Sequence, residues 1–187
     1  RPCMLLMTAA SRAAWMPRTA LTLRDYLAGE WRLSKGMRYQ QGGVNGQFVG
    51  TASFSALQSD VLTYLESGQV ELGSGPPMTA TATQRYLWDF SDGNVRVLFD
   101  ECTGHRSPEA IMRSARFFHA VDVTTVDEED RIVRFEHPCP CVAGDGIDLY
   151  VGNMCFASPD SFSIRWQVTG PRKEGAIANE YTRAPTS

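Results

Sequence analysis

The stretch Leu27-Ala28-Gly29-Glu30-Trp31-Arg32-Leu33 joins a short amphipathic turn to a long strand, and its reading decides the fold. Upstream, Thr22 is expected to cap a single short helix with Asp25 as its capping-box partner, and Leu23, Tyr26 and Leu27 form an apolar stripe. Gly29 ends that helix and starts a run from about Glu30 to Gln41, which stops at Gly42-Gly43-Val44-Asn45-Gly46. Beyond it, apolar alternation and turn residues succeed one another to the end of the chain. Phe48, Ala52 and Phe54 share one face of the next strand, and a third spans about Val61 to Glu66. After Gly73-Ser74-Gly75-Pro76-Pro77 comes a long strand, Met78 to Phe90, in which Tyr86, Trp88 and Phe90 alternate with Arg85, Leu87 and Asp89. Asp92-Gly93 turns the chain into Val95 to Phe99. A second helical turn is expected around Pro108 to Ala115, with Ser107 as N-cap. Strands follow at Phe117 to Thr125, Ile132 to His137, Ile147 to Ala157, Ser161 to Gly170 and Ala176 to Arg183. The fold class is all-β: roughly ten antiparallel strands in up-and-down order, closed into a barrel, with a two-sheet sandwich as the alternative.

G-x-W entered from a helical turn, together with Tyr181-Thr182-Arg183 on the last strand, resembles the closure signature of calycin barrels of the lipocalin and nitrobindin type. The resemblance implies that Trp31 plugs one end and that Arg183 lies across its indole, a pairing that suits the flat guanidinium. It also implies an interior, since calycin relatives bind apolar ligands, fatty acids or haem, and a few are enzymes. The last third carries a second resemblance. His137-x-Cys139, Asp148-x-Tyr150-x-Gly152, Trp166-x-Val168-x-Gly170-Pro171-Arg172-Lys173 and Tyr181-Thr182-Arg183 are similar to the motifs of a domain-of-unknown-function family of bacteria and eukaryotes. That family also shows the opening L-x-G-x-W and an F-F-H segment, here Phe117-Phe118-His119. The similarity runs from about Leu23 to Arg183; the Cys139-to-Asp148 loop is longer here, and Glu174 stands where the family usually has aspartate. No activity comes with it, so it supplies a fold and a set of candidate residues.

Those candidates are His119, His137, Asp148, Tyr150 and Arg172. Strand parity places Asp148 and Tyr150 on one face, and His137 is expected to share the barrel mouth with them. Such a group suits recognition of a polar head group or acid–base work, whereas a plain structural account pairs Asp148 with Arg172 and hydrogen-bonds Tyr150 to a turn. The aromatic set Trp88, Phe90, Phe99, Phe117, Phe135, Phe156 and Trp166 is either core or cavity wall. No cofactor is assigned; haem would need a histidine facing that cavity, with His119 the better placed. His137-Pro138-Cys139-Pro140-Cys141 places an imidazole near two thiols, but C-x-C without a second pair does not make a zinc site, and no metal is expected. Gly170-Pro171-Arg172-Lys173 lacks the glycine pattern of a phosphate loop and reads as a turn with two cations at the rim.

The 187 residues are long enough for one domain with a real core, and 43% hydrophobic against 21% charged is a globular balance. A net charge of -3 argues against direct nucleic-acid reading. The five cysteines, Cys3, Cys102, Cys139, Cys141 and Cys155, show no scaffold spacing and point to a reducing, intracellular compartment. No apolar run approaches the roughly 20 residues of a membrane-spanning helix. Residues 1–21 form a basic arm: the first 24 residues hold Arg1, Arg12, Arg18 and Arg24 and no acid, as mitochondrial presequences do. Leu5, Leu6, Trp15 and Met16 make the arm apolar enough to pack outside the barrel or dock on a protein partner. Three functions follow: a non-enzymatic barrel holding a small, partly apolar ligand; an accessory subunit of a mitochondrial assembly such as the ribosome or a respiratory complex; or an enzyme using the His/Asp/Tyr/Arg group.

Overall fold

The computed structural model describes residues 17, 19–73, 78–123, 132–140 and 146–185. The arm upstream of Thr19, Pro17 apart, and the turn between the sixth and seventh strands lie outside the described residues, as do the side chains of His137, Cys139 and Cys141. Helix α1 is Ala20–Leu27, so the expected arm boundary at residue 21 falls inside its first turn. Its cap is Thr19 rather than Thr22. The Thr22 N–H donates to Thr19 Oγ1 at 3.2 Å and the Thr19 N–H to Thr22 Oγ1 at 2.9 Å. A threonine at the third helical position closes the box here in place of the usual Glu or Gln, and this moves the start upstream by one turn. Gly29, at φ +117°, swings the chain out of the helix, a conformation that favours glycine.

The strands are β1 (Gly29–Gln41), β2 (Gly46–Gln58), β3 (Val61–Leu72), β4 (Met78–Asp89), β5 (Val95–Phe99), β6 (Arg116–Val121), β7 (Ile132–Pro140), β8 (Ile147–Ser158), β9 (Ser161–Thr169) and β10 (Glu174–Arg183). They form one antiparallel sheet in the order β6-β5-β4-β3-β2-β1-β10-β9-β8-β7, which excludes the sandwich. The first and last strands are paired along their length, and the sheet curls until its end strands β6 and β7 lie side by side. The barrel's seam is therefore between two strands consecutive in the chain. Among the described residues side chains bridge it: the His119 ring on β6 stacks on Phe135 of β7 at 5.0 Å.

The core fills the half of the barrel next to α1. Leu23, Leu27, Trp31, Phe156 and Phe162 are all but completely buried there. Arg183 stands directly opposite Trp31 in the β1–β10 ladder, and its guanidinium carbon lies 4.1 Å from the indole centroid. The same guanidinium donates to the carbonyls of Tyr26 at 2.7 Å and Ala28 at 3.1 Å, while Trp31 Nε1 donates to Leu27 O at 2.8 Å. One stacked pair thus satisfies three carbonyls at the end of α1, where an α-helix has no internal donors left.

A smaller core lies outside the sheet. Helix α2 (Pro108–Ser114), capped by Ser107, lays Ile111 over Val61 and Leu87, outward-facing residues of β3 and β4. Strand β7 runs on through Pro140, so His137-Pro138-Cys139-Pro140 is strand rather than loop. Of the aromatic set, Phe117 is an exception to both readings, since it faces outward and is 55% exposed. Among the described residues no three potential metal ligands meet, and no helix is long and apolar enough to cross a membrane.

Candidate functional site

Strand alternation carries polar groups into the barrel beyond the Trp31 plug. On β1 the inward positions are Trp31, Leu33 and Lys35; on β3 they are Leu62, Tyr64 and Glu66. The β1–β10 register sets Tyr181 opposite Leu33 and Asn179 opposite Lys35. Five polar side chains, Lys35, Tyr64, Glu66, Asn179 and Tyr181, therefore form a layer above the apolar core. Lys35 Nζ meets Glu66 Oε1 at 2.5 Å, and the Tyr64 hydroxyl donates to Glu66 Oε2 at 2.6 Å. The Tyr64 and Tyr181 hydroxyls are 3.1 Å apart. Burial, then Tyr181 and Glu66 beside it, pushes the Tyr64 phenol well above its usual pKa. Burial does the same to Tyr181 and Tyr86, so all three phenols keep their protons near neutral pH.

A phenol has one proton to give, and this fixes the direction of the chain. Tyr64 spends its proton on Glu66, so the bond between the two phenols runs from Tyr181 to Tyr64. Asn179 Nδ2 donates to Ile164 O at 3.0 Å, which leaves Asn179 Oδ1 buried without a hydrogen-bond partner. A buried acceptor without a donor is uncommon and costly, on the order of 1–3 kcal/mol.

Above this layer is a cavity of about 90 Å³, lined by the five polar residues and by aromatic rings. Trp166 stands edge-on to both Phe135, at 4.7 Å, and His119, at 5.2 Å. His119 is itself only 4% exposed. Its Nδ1 is 3.5 Å from Ala120 O; a carbonyl only accepts, so a neutral ring making that bond carries its proton on Nδ1. Phe118 and Tyr86 stack at 5.8 Å, and with Lys35 these half-buried rings flank the way in. The space is smaller than the roughly 150 Å³ that houses a benzene in an engineered core, so a ring would enter by displacing a side chain. A macrocycle the size of haem exceeds it by far.

Asp148, Tyr150 and Arg172 belong to the rim, at the β8–β9–β10 wall, and the His137 side chain lies outside the described residues. Asp148 is buried, but its partner is not the Arg172 guanidinium. Its Oδ1 accepts the backbone N–H groups of Arg172 at 3.0 Å and Lys173 at 3.2 Å, while the Arg172 side chain is exposed. A short carboxylate inside a tight turn meets the turn's own amides before it can reach a side chain that points outward. Gly170 is what lets it in, because a Cβ there would sit 2.3 Å from Asp148 Oδ1 and 2.5 Å from its Cα. Lys173 Nζ donates to the Tyr150 hydroxyl at 3.3 Å. His137 pairs with Tyr150 through the β7–β8 ladder. Of the expected residues whose side chains are described, His119 lines the cavity, and Asp148, Tyr150 and Arg172 gather at the rim turn. Trp166 links the two groups, its ring 6.3 Å from that of Tyr150.

Sequence reasoning missed Lys35, Glu66, Tyr64, Asn179 and Tyr181. The signal was strand parity. In Trp31-x-Leu33-x-Lys35 and Leu62-x-Tyr64-x-Glu66 the third inward position is charged, with opposite signs on two strands.

Comparison with known structures places this architecture. An S-type phycobiliprotein lyase, CpeS from Guillardia theta, superposes with a TM-score of 0.57 at 8% identity, covering 94% of this chain and 98% of that one. A redesigned β-barrel, mFAP1, bound to DFHBI, covers 89% of this chain and 100% of its own at 11% identity, with a TM-score of 0.37. At these identities the likeness to the lyase is one of fold, and the likeness to the designed barrel is looser still. No functionally curated protein matches the sequence. Residues 27–183, from the turn into Trp31 to its partner Arg183, match a family of unknown function, and the chain belongs to that family, DUF6314.

Proposed function

We propose that this protein is a non-enzymatic barrel that binds one small, partly apolar, ring-bearing molecule in its interior. The observation that carries the reading is the Lys35–Glu66 pair, set inside an aromatic-walled cavity with Glu66 only 6% exposed. Taking Glu66 and most of Lys35 out of water costs several kcal/mol before their attraction is counted, and apolar residues of similar volume fill a barrel at least as stably. A barrel kept only as a scaffold has no use for that arrangement. A recognition site does: rings give the area and a few fixed polar groups give the orientation. The test is native mass spectrometry of protein purified from its source, followed by the same measurement after denaturation. Binding predicts a mass excess of a small organic molecule that denaturation releases and that the Glu66→Gln variant retains poorly. A bare chain mass, with Glu66→Gln purifying in the same state, overturns the reading.

One observation favours a second reading. At about 90 Å³ the cavity falls short of the roughly 300 Å³ at which ligand pockets begin, and this suits an accessory subunit whose barrel serves as a folded block within a larger assembly. The same spectra separate the two, since a scaffold comes off the column with protein partners and no small molecule.

A further inference from the structure

We infer that the interior site selects an uncharged ring whose buried end carries a hydroxyl or amino group, and rejects carboxylates; the inference rests on the binding reading above. Proton counting in the polar layer carries it. Both Glu66 oxygens are in use, one by Lys35 and one by Tyr64. The Tyr181 proton goes to Tyr64, so what Tyr181 has left for a guest is an oxygen lone pair. Beside it on the same strand, at the next inward position, Asn179 brings an oxygen without a partner and one amide hydrogen beyond the one given to Ile164. The Tyr181–Asn179 end of the site is thus rich in acceptors, with a single spare N–H of its own. A hydroxyl or amino group answers that pattern because it donates to one oxygen and accepts the remaining hydrogen.

A carboxylate answers only the spare Asn179 N–H and has no proton for the oxygens. It would face the Tyr181 and Asn179 oxygens and the Glu66 charge. Among the described residues lining the cavity the lysine, Lys35, is already held by Glu66 and stands at the half-buried mouth, with its Nζ 5.4 Å from the Phe48 ring centroid. Sites of this kind discriminate strongly, because a guest lacking the matching group leaves buried polar atoms unpaired. The ring itself is read by Trp166, Phe118 and Tyr86, whose faces and edges accept any flat apolar body.

The experiment is ligand-observed NMR titration of the full chain with aniline, phenol, toluene and benzoate. Aniline and toluene share one shape and differ in an amino group against a methyl. Aniline and phenol should bind at least tenfold more tightly than toluene, and benzoate should give no saturation transfer. Tyr181→Phe, which keeps the ring stacked on Phe162, should lower aniline affinity to that of toluene and leave toluene unchanged. Asn179→Leu should do the same, so the conclusion does not hang on one variant's folding; each is checked first by its circular-dichroism melt. Toluene binding as well as aniline, or benzoate binding best, overturns this inference and leaves the binding reading standing. No binding of any probe overturns both.

Discussion

Replacing Trp31 with alanine tests the closure of the barrel most directly. The side chain has no exposed surface and packs edge-on to Phe162, ring centroids 4.8 Å apart. Truncating an aromatic so buried costs about 3–5 kcal/mol in transfer and cavity terms. The variant also strips the Leu27 carbonyl of its indole donor, about 1 kcal/mol, and takes away the face on which the partly exposed Arg183 lies, about another 0.5–1 kcal/mol. The upper part of the range is therefore expected, about 4–5 kcal/mol, out of a total stability on the order of 5–15 kcal/mol. Urea denaturation followed by far-ultraviolet circular dichroism should show the midpoint falling without a large change in slope, and the melting temperature should drop by about 10–20 °C. A double-mutant cycle with Arg183→Met isolates the stacking, and a coupling of about 1 kcal/mol is expected. A loss below about 2 kcal/mol for Trp31→Ala, or no coupling to Arg183, refutes the account of the plug.

At the rim, Gly170→Ala should destabilise by about 1–3 kcal/mol in chemical denaturation, since the new Cβ meets the Asp148 backbone and carboxylate together. Asp148→Asn should cost about 1–2 kcal/mol there and leave ligand retention unchanged, because the carboxylate serves the turn's amides; a loss of retention without loss of stability would assign it to the site. For Asp89, burial alone would raise the carboxyl pKa, but hydrogen bonds from Ser91 and then the Arg96 guanidinium, 2.5 Å away, hold it below the usual value. A depressed folded pKa means stability present above about pH 4 and lost as pH falls through the folded value, so the stability gap between wild type and Asp89→Asn should shrink between pH 6 and pH 3. Denaturation midpoints across that window check it, and a gap that widens toward low pH contradicts it. Lys35→Met should cost about 2–3 kcal/mol by leaving Glu66 buried beside a lone phenol donor, less than for a fully buried pair because the lysine is one-fifth exposed.

What the sequence made legible was whatever depends on local chemistry and on parity. Gly29, Asp92-Gly93 and Ser107-Pro108 each announce a backbone event that their own residue types force, and each occurs where it was read. Thr22 misled because threonine at the cap and threonine at the third position look alike until the chain upstream is placed. Local propensity ends the third strand at Glu66, yet it runs to Leu72, since Ser67-Gly68-Gln69 is held by its pairing with β2 and β4 rather than by any propensity of its own. The candidate site was less legible for the same reason. That Lys35 and Glu66 point inward is a matter of parity, but that they meet depends on the register that brings Ala52 level with both Trp31 and Glu66. Asp148 and Arg172 looked like an ion pair because residue types show charge; they do not show that a turn offers its amides first.

The pairing of the first strand with the last also bears on how the molecule comes to exist. Trp31 has no stacking partner until Arg183 arrives, and β1 lacks one of its two neighbours until β10 is in place. Contacts so distant along the chain pay the entropy of loop closure late and slow folding, and a ribosome delivers Arg183 only long after Trp31. During synthesis the β1–β6 meander must wait with one long edge of β1 open to other strands, a state that invites aggregation and that chaperones recognise. A chain cut short before Tyr181-Thr182-Arg183 would lose the bolt of the closed end and leave β1 without that neighbour from Trp31 to Leu33.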